Sequence, residues 1–157
     1  MRKRVVDQVS TDVSPTDQKW LNLEPLAQIE VTSEDASYPI ESALLPGSGA
    51  GWRAAQSGEQ IIRILFDEPL SLSHIHLQFE ETEHERTQEF VLLWSPDEGQ
   101  SYREIVRQQY NFSPTGASLE VEDYDVNLAG VTALELRIVP DQGGGQARAS
   151  LAQLRLA

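Results

Sequence analysis

The segment Ser73–Glu80 constrains the fold most, because polar and apolar residues alternate strictly from His74 onwards. In an extended strand, successive side chains point to opposite faces, so Ile75, Leu77 and Phe79 share one face and both histidines of the segment share the other. Short β-prone segments recur from residue 27 onwards, separated by clusters of Gly, Pro, Asp and Asn. This pattern is typical of an antiparallel sandwich or barrel, and about eight strands are predicted.

The remaining strands follow from the same alternation and from turn residues. A hairpin is predicted around Ser95-Pro96-Asp97-Glu98-Gly99, which has turn chemistry between two β-prone segments. A long loop is predicted from Pro39 to Gly58. The predicted strands besides Ser73–Glu80 are Ile29–Thr32, Ile61–Phe66, Gln88–Ser95, Tyr102–Val106, Ala133–Val139 and Ala149–Leu156.

Two segments are ambiguous. Residues 102–106 carry apolar side chains at helical spacing, so a short helix is an alternative to a strand there. Leu119 and Val121 share one parity, whereas the apolar residues from Tyr124 onwards share the other. This change of parity predicts a β-bulge, with the register shifting near Glu122.

Length and charge limit the organisation and the partners. The 157 residues suit a single domain. Residues 1–19 lack any sustained periodicity and predict a flexible N-terminal arm, so the folded domain is placed at 20–157. The formal net charge of -13 opposes binding to nucleic acid and to anionic membranes. No apolar run approaches the roughly 20 residues that span a bilayer, and the chain has no cysteine for a disulfide or a thiolate metal site.

Six segments occur in an order that is typical of one group of binding domains. They are Gly51-Trp52-Arg53, Gln60–Ile64, Ile75–Phe79, Arg86–Phe90, the strand and turn Leu92–Tyr102, and the closing segment Ala149–Leu154. With Leu26–Ser33 before them, they resemble the discoidin, or coagulation-factor type C, domains of the galactose-binding-like jelly-roll superfamily over residues 26–157. The resemblance implies an all-β jelly-roll sandwich that binds sugars, phospholipid head groups or proteins, and it implies no catalysis.

Departures from that family refine the expectation. Secreted members often join their ends by a disulfide, so the absence of cysteine favours a cytoplasmic member. Many sugar-binding relatives hold a structural calcium ion through an Asp-Gly loop and a carboxylate near the last strand. Pro46, Gly47 and Gln153 stand at the corresponding places here, and calcium needs six to eight oxygen ligands. We therefore expect neither calcium nor another cofactor.

The acidic segment Glu80–Arg86 and Trp52 supply the first candidate ligand-binding residues. The segment is either a solvated hairpin tip or a loop on which His84 and Arg86 donate hydrogen bonds to a polyol or a carboxylate, as His and Arg do in sugar-binding relatives. The resemblance makes Trp52 a core or rim aromatic of the sandwich, with a stacking platform for ligand as the alternative.

A second candidate lies in Gln108–Pro114, which is predicted to be a loop between strands. Tyr110 and Asn111 combine a ring and an amide, the groups that a shallow sugar or peptide site uses. His74 and His76 have the spacing of two imidazoles that share a metal, but no third ligand is apparent. A solvated strand face is the simpler interpretation of the two histidines, and no metal site is predicted.

These residues favour a binder over an enzyme. The chain has neither a Gly-x-Ser-x-Gly nor a His-Glu-x-x-His motif, and an acidic pair among 25 carboxylates proves nothing. The predicted function is a non-catalytic module that recognises a carbohydrate or a similar polar ligand through loops at one end of the sandwich. The alternative is a protein-interaction or scaffold domain that has no small-molecule ligand.

Overall fold

The computed structural model describes residues 20–47 and 49–157, which fold into eight strands and one short helix. The predicted arm at 1–19 lies outside the described residues. No helix in the described part is both long and apolar enough to cross a bilayer. The elements are β1 (Ala27–Val31), α1 (Glu41–Leu44), β2 (Trp52–Ser57), β3 (Gln60–Glu80), β4 (Arg86–Ser95), β5 (Arg103–Phe112), β6 (Leu119–Val139), β7 (Arg148–Leu151) and β8 (Gln153–Leu156). The all-β prediction of about eight strands is confirmed.

Two long antiparallel strands, β3 and β6, run through both layers of the sandwich. Their register shifts repeatedly between Leu65 and His74 of β3, and such bulges bend a strand pair. On one side of the bend they pair with β1 and β4, with β5 at the outer edge, and on the other side β3 pairs with β8. Strands β2 and β7 form a separate two-stranded ribbon.

The core lies between the layers, as the alternation predicts. Ile75, Leu77 and Phe79 of β3 are each 0% exposed. The ring of Phe79 packs against Phe90 of β4 at a centroid distance of 5.2 Å, which joins the two layers. Burying a side chain of this size contributes about 1.5–3 kcal/mol, so these positions hold the layers together.

The predicted β-bulge near Glu122 is wrong. The pairing of β6 with β3 is unbroken from Leu119 to Asp125, and the first shift comes only beyond that point. Glu120 takes the inward position and is 1% exposed, whereas Leu119 and Val121 face outward at 45% and 47% exposure. The prediction required every apolar residue to face the core, but here a carboxyl group is buried in their place.

Strand pairing confirms the predicted strand near residues 102–106 and corrects two predicted loops. The helix considered for residues 102–106 does not form, because β5 pairs with β4 along its length. The same pairing extends the strand to Phe112, so most of the predicted loop at 108–114 is strand. The predicted loop from Pro39 to Gly58 contains α1 and β2, since β2 pairs with β7.

Candidate functional site

A polar cleft of about 300 Å³ opens at the end of the sandwich where β3 ends and β4 begins. The β2–β7 ribbon and the loop before it form one side, which we call the ribbon wall. The residues that join β3 to β4 form the opposite side, which we call the loop wall. The ribbon wall includes Tyr38, Arg53, Arg148 and Ser150, and the loop wall consists of residues 80–84.

Tyr38 and Arg53 are held against each other by backbone hydrogen bonds. The N–H of Arg53 donates to the carbonyl of Tyr38 at 3.2 Å, and the N–H of Asp35 donates to the carbonyl of Arg53 at 2.8 Å. The guanidinium carbon of Arg53 lies 5.0 Å from the centroid of the Tyr38 ring, within the range of a cation–π contact. The ribbon wall is therefore preorganised.

Trp52 belongs to the core beneath the cleft. Its side chain is 1% exposed, and its Nε1–H donates to the carbonyl of Ser33 at 3.0 Å. The preceding Gly51 has a φ of +92°, and a Cβ there would lie 2.5 Å from the carbonyl oxygen of Leu151. Trp52 is thus a packed floor residue rather than a stacking platform.

Glu81 organises the loop wall. Its carboxylate accepts a hydrogen bond from Arg86 Nε at 2.7 Å and from the backbone N–H groups of Glu83 and His84 at 2.9 and 3.2 Å. Burial alone would raise the pKa of Glu81, but these bonds outweigh burial and lower it. The loop is therefore tied down, while the imidazole of His84 stays exposed at the cleft.

Arg86 is not an exposed loop residue. It begins β4 and is 5% exposed. Its Nη1 donates to Gln88 Oε1 at 3.1 Å and to the carbonyl of Pro140 at 2.8 Å, and its guanidinium lies 4.6 Å from the centroid of the Phe112 ring. None of these partners lines the cleft, and neither does Arg86 itself. Arg86 therefore stabilises the loop wall without contacting the cleft.

Tyr110 and Asn111 lie on β5, away from the cleft. The Tyr110 hydroxyl donates to the carbonyl of Leu119 at 3.0 Å, and its ring packs on Phe112 at 4.9 Å. The side-chain oxygen of Asn111 accepts from the Thr87 hydroxyl at 2.9 Å. Of the five residues proposed from the sequence, the structure brings His84 and Trp52 to the cleft and places Arg86, Tyr110 and Asn111 elsewhere.

Sequence reasoning missed Tyr38, Arg53 and Arg148. The position of Arg53 could have been predicted in part from the sequence. Arg53 lies between two apolar residues, Trp52 and Ala54, so strand alternation places its side chain on the outer face. Tyr38 lies in a loop, so its approach to β2 depends on contacts between chain segments that no local pattern encodes.

The two histidines on the outer face of β3 are paired rather than solvated. His74 Nε2 and His76 Nδ1 lie 2.9 and 2.8 Å from the same Asp123 oxygen, and His74 Nδ1 lies 2.9 Å from Asp125. The ring of Trp20 covers both, with centroid distances of 5.6 and 6.0 Å. Among residues 20–47 and 49–157, no group of three or more His, Cys, Asp or Glu side chains is arranged to hold a metal ion.

The strands form a jelly-roll β-sandwich, the fold that the sequence resemblance implies. No protein-family model and no curated protein matches the chain. Solved structures match at low identity. A family 32 carbohydrate-binding module, CBM32-3, from a family 31 glycoside hydrolase of Clostridium perfringens is 18% identical with a TM-score of 0.63, over 87% of this chain and 93% of that chain.

Two further structures show what this fold carries elsewhere. A C. perfringens module in complex with GalNAc-β-1,3-galactose is 17% identical with a TM-score of 0.61, over 88% of this chain and 99% of that one. Reduced XRCC1 bound to the catalytic domain of DNA polymerase β is 13% identical with a TM-score of 0.60, over 84% of this chain and 95% of that one. At these identities the likeness shows the fold.

Proposed function

We propose that this protein is a non-catalytic carbohydrate-binding module whose ligand lies in the cleft between the ribbon wall and the loop wall. One observation carries the proposal. The side chains of Tyr38, Arg53, Arg148 and His84 line the cleft, and none of them forms a hydrogen bond or an ion pair with another side chain in the described residues. The fold, shared with sugar-binding modules of C. perfringens, supports this assignment.

The cleft has the groups that a saccharide needs. Guanidinium and imidazole N–H groups donate to sugar hydroxyl oxygens, and carboxylates accept from sugar hydroxyls. Donors on the ribbon wall face acceptors on the loop wall, so a pyranose ring between them satisfies both sides. Because both walls are held by internal hydrogen bonds, little ordering is required when the ligand binds.

A matched pair of tyrosine variants tests the site. Tyr38→Phe removes only a hydroxyl in the cleft, whereas Tyr110→Phe removes a hydroxyl on β5 outside it. A glycan array identifies the best ligand, and calorimetry measures its affinity. We expect Tyr38→Phe to weaken binding about three- to tenfold, the effect of one hydrogen bond, and His84→Ala to weaken it further, while Tyr110→Phe leaves it unchanged. Absence of binding to every glycan would contradict the proposal.

A protein-interaction role is the second candidate, because two apolar side chains are exposed on one strand. Leu119 and Val121 lie in the half of β6 that pairs with β3 and, within the described residues, has no strand on its other side. The carbonyl of Leu119 on this edge accepts from the Tyr110 hydroxyl, but no described strand pairs with it, and an unpaired edge with outward apolar groups suits pairing with another chain. Crosslinking in a host extract, with wild type compared with a Leu119→Asp, Val121→Asp variant, tests this role. Identical crosslinked partners for both proteins would reject the edge as the contact.

A further inference from the structure

The arginines of the described domain divide into two groups. Four form ion pairs with carboxylates, and four form none with any described residue. The paired arginines are Arg63, Arg86, Arg107 and Arg137. The unpaired ones are Arg53, which lies over Tyr38, Arg103, which lies over Trp94, Arg155, which donates to backbone carbonyls, and Arg148.

Two of the four unpaired arginines lie on one face of the ribbon wall. Arg53 pairs directly with Ser150 across the β2–β7 ribbon, so both side chains project to the same side. Arg148 is two residues from Ser150 on β7 and shares that face. Arg53 and Arg148 are exposed, whereas the neighbouring Ala54 and Ala149 are buried. Arg53 and Arg148 thus both project their guanidinium groups towards the cleft.

Carboxylates are available nearby but do not reach these arginines. Glu80, Glu81 and Glu83 line the opposite loop wall. The carboxylate of Glu81 is occupied by Arg86 and by two backbone N–H groups. No ion pair crosses the cleft between the two described walls, so opposite charges face each other across an open space. Because no described carboxylate pairs with Arg53 or Arg148, both guanidinium groups remain available to an external anion in the cleft.

We propose, building on the carbohydrate-binding function above, that the ligand is an acidic saccharide whose carboxylate is held by Arg53 and Arg148. A guanidinium presents its N–H groups in a planar fork that matches a carboxylate, and such charge-assisted bonds are stronger than neutral ones. The hydroxyls of the same sugar ring face Glu80 and Glu83 of the loop wall, which accept their hydrogen bonds. The cleft therefore discriminates a uronate from the corresponding neutral sugar.

Trigalacturonate and its trimethyl ester are the matched probes, because esterification removes the charge and retains the sugar hydroxyls. We expect calorimetry to show that the wild-type protein binds the acid at least about tenfold more tightly than the ester. Arg53→Gln and Arg148→Gln should each reduce the affinity for the acid to near that for the ester. Arg53→Lys, which keeps the charge but loses the fork, should retain part of the preference.

Arg103→Gln is the matched control variant. Arg103 is also exposed, unpaired and close to an aromatic ring, at 5.3 Å from the centroid of Trp94, but it lies on β5 outside the cleft. Its replacement should leave both affinities unchanged. Thermal unfolding of each variant verifies that the fold is intact.

The outcomes separate this inference from the proposed function. Equal affinity for the acid and the ester, or binding of neutral glycans alone, overturns the acidic ligand and leaves the carbohydrate-binding function standing. A loss of acid preference in Arg103→Gln as large as in Arg53→Gln also overturns the inference, because the effect would then come from overall charge. Failure to bind any glycan, acidic or neutral, overturns both.

Discussion

The carboxyl group of Glu120 on β6 is buried against Gln88 of β4, with Gln88 Nε2 lying 3.2 Å from Glu120 Oε1. The second carboxyl oxygen, Oε2, is buried and has no partner within the described residues, and the same holds for the hydroxyl of Tyr124 on the same face. Burial, reinforced by the neighbouring Glu122, raises the pKa of Glu120 to about 8. The protonated acid is therefore the form that the core favours.

We predict that this acid makes stability depend on pH. The folded-state pKa of Glu120 lies above its unfolded value, so the folded chain binds the proton more strongly. Its contribution is fully present below about pH 4.5 and is lost as pH rises through about 8. Glu120→Gln retains the acceptor for Gln88 and removes the ionisation, so it should raise the free energy of unfolding at pH 9 by about 1–3 kcal/mol.

Urea unfolding at pH 5, 7 and 9 measures this effect. Glu80→Gln is the control, because Glu80 is an exposed acid on β3 close to the same end of the sheet. The control should follow the wild-type pH dependence. If Glu120→Gln also follows it, the carboxyl group is already ionised in the folded protein and the assignment fails.

The pairing of His74 with Asp123 and Asp125 predicts a shifted titration. Burial alone would lower the pKa of His74, but hydrogen bonds to the two carboxylates outweigh burial and raise it. NMR titration of the ring protons should place the His74 midpoint above that of a free histidine, about 6.5. Asp123→Asn should lower the midpoint, because the remaining carboxylate of Asp125 lies on a 95% exposed side chain. An unchanged midpoint in Asp123→Asn would rule out the pairing in solution.

Gly51 and Gly58 form a matched pair for testing the close approach beside the cleft. Both have positive φ angles, +92° and +88°, but only at Gly51 would a Cβ meet the backbone of β7. We expect Gly58→Ala to cost about 1 kcal/mol for its backbone conformation and Gly51→Ala to cost at least about 2 kcal/mol more. Gly51→Ala should also weaken glycan binding, because the adjacent Ala50 and Ala152 line the cleft. If chemical denaturation shows that both substitutions reduce the free energy of unfolding equally, the backbone at residue 51 can move away from Leu151 at little cost.

Arg86 should act on stability and only indirectly on ligand binding. Arg86→Gln leaves Glu81 without its ion pair and removes the donor to Pro140, so we expect a loss of about 3 kcal/mol or more in urea unfolding. Arg107→Gln is the control, since Arg107 forms its ion pairs at 52% side-chain exposure and its replacement should reduce the free energy of unfolding far less than Arg86→Gln does. A glycan affinity abolished in Arg86→Gln at full stability would instead make Arg86 a ligand contact.

The sequence predicts the apolar framework well because strand geometry has a simple period. Alternation places Ile75, Leu77 and Phe79 inward, and the structure buries all three completely. The same rule fails at Leu119 and Val121, because it places every apolar residue inward. It cannot predict that Glu120 is buried through a hydrogen bond with Gln88, which lies 32 residues earlier in the chain. Pairing between distant segments, not local pattern, decides such positions.

The candidate site shows the same limit. His84 is recognisable as a polar residue on a loop, and the structure places it at the cleft. Arg86 has a similar sequence context but turns inward, because Glu81, Gln88 and the carbonyl of Pro140 satisfy its guanidinium. Gln88 lies two residues along β4 on the same face as Arg86, but Glu81 lies in the preceding loop and Pro140 follows β6, so the convergence of all three could not be derived from spacing along the chain.

The passage of β3 and β6 through both layers affects how the protein unfolds. Because β3 and β6 each contribute residues to both layers, we expect the two layers to unfold together. A destabilising substitution at Gly51 should therefore also lower the unfolding midpoint that is measured at Trp94, near the far end of β4. A fluorescence probe at either place should report the same midpoint, so that denaturation is a single all-or-none event.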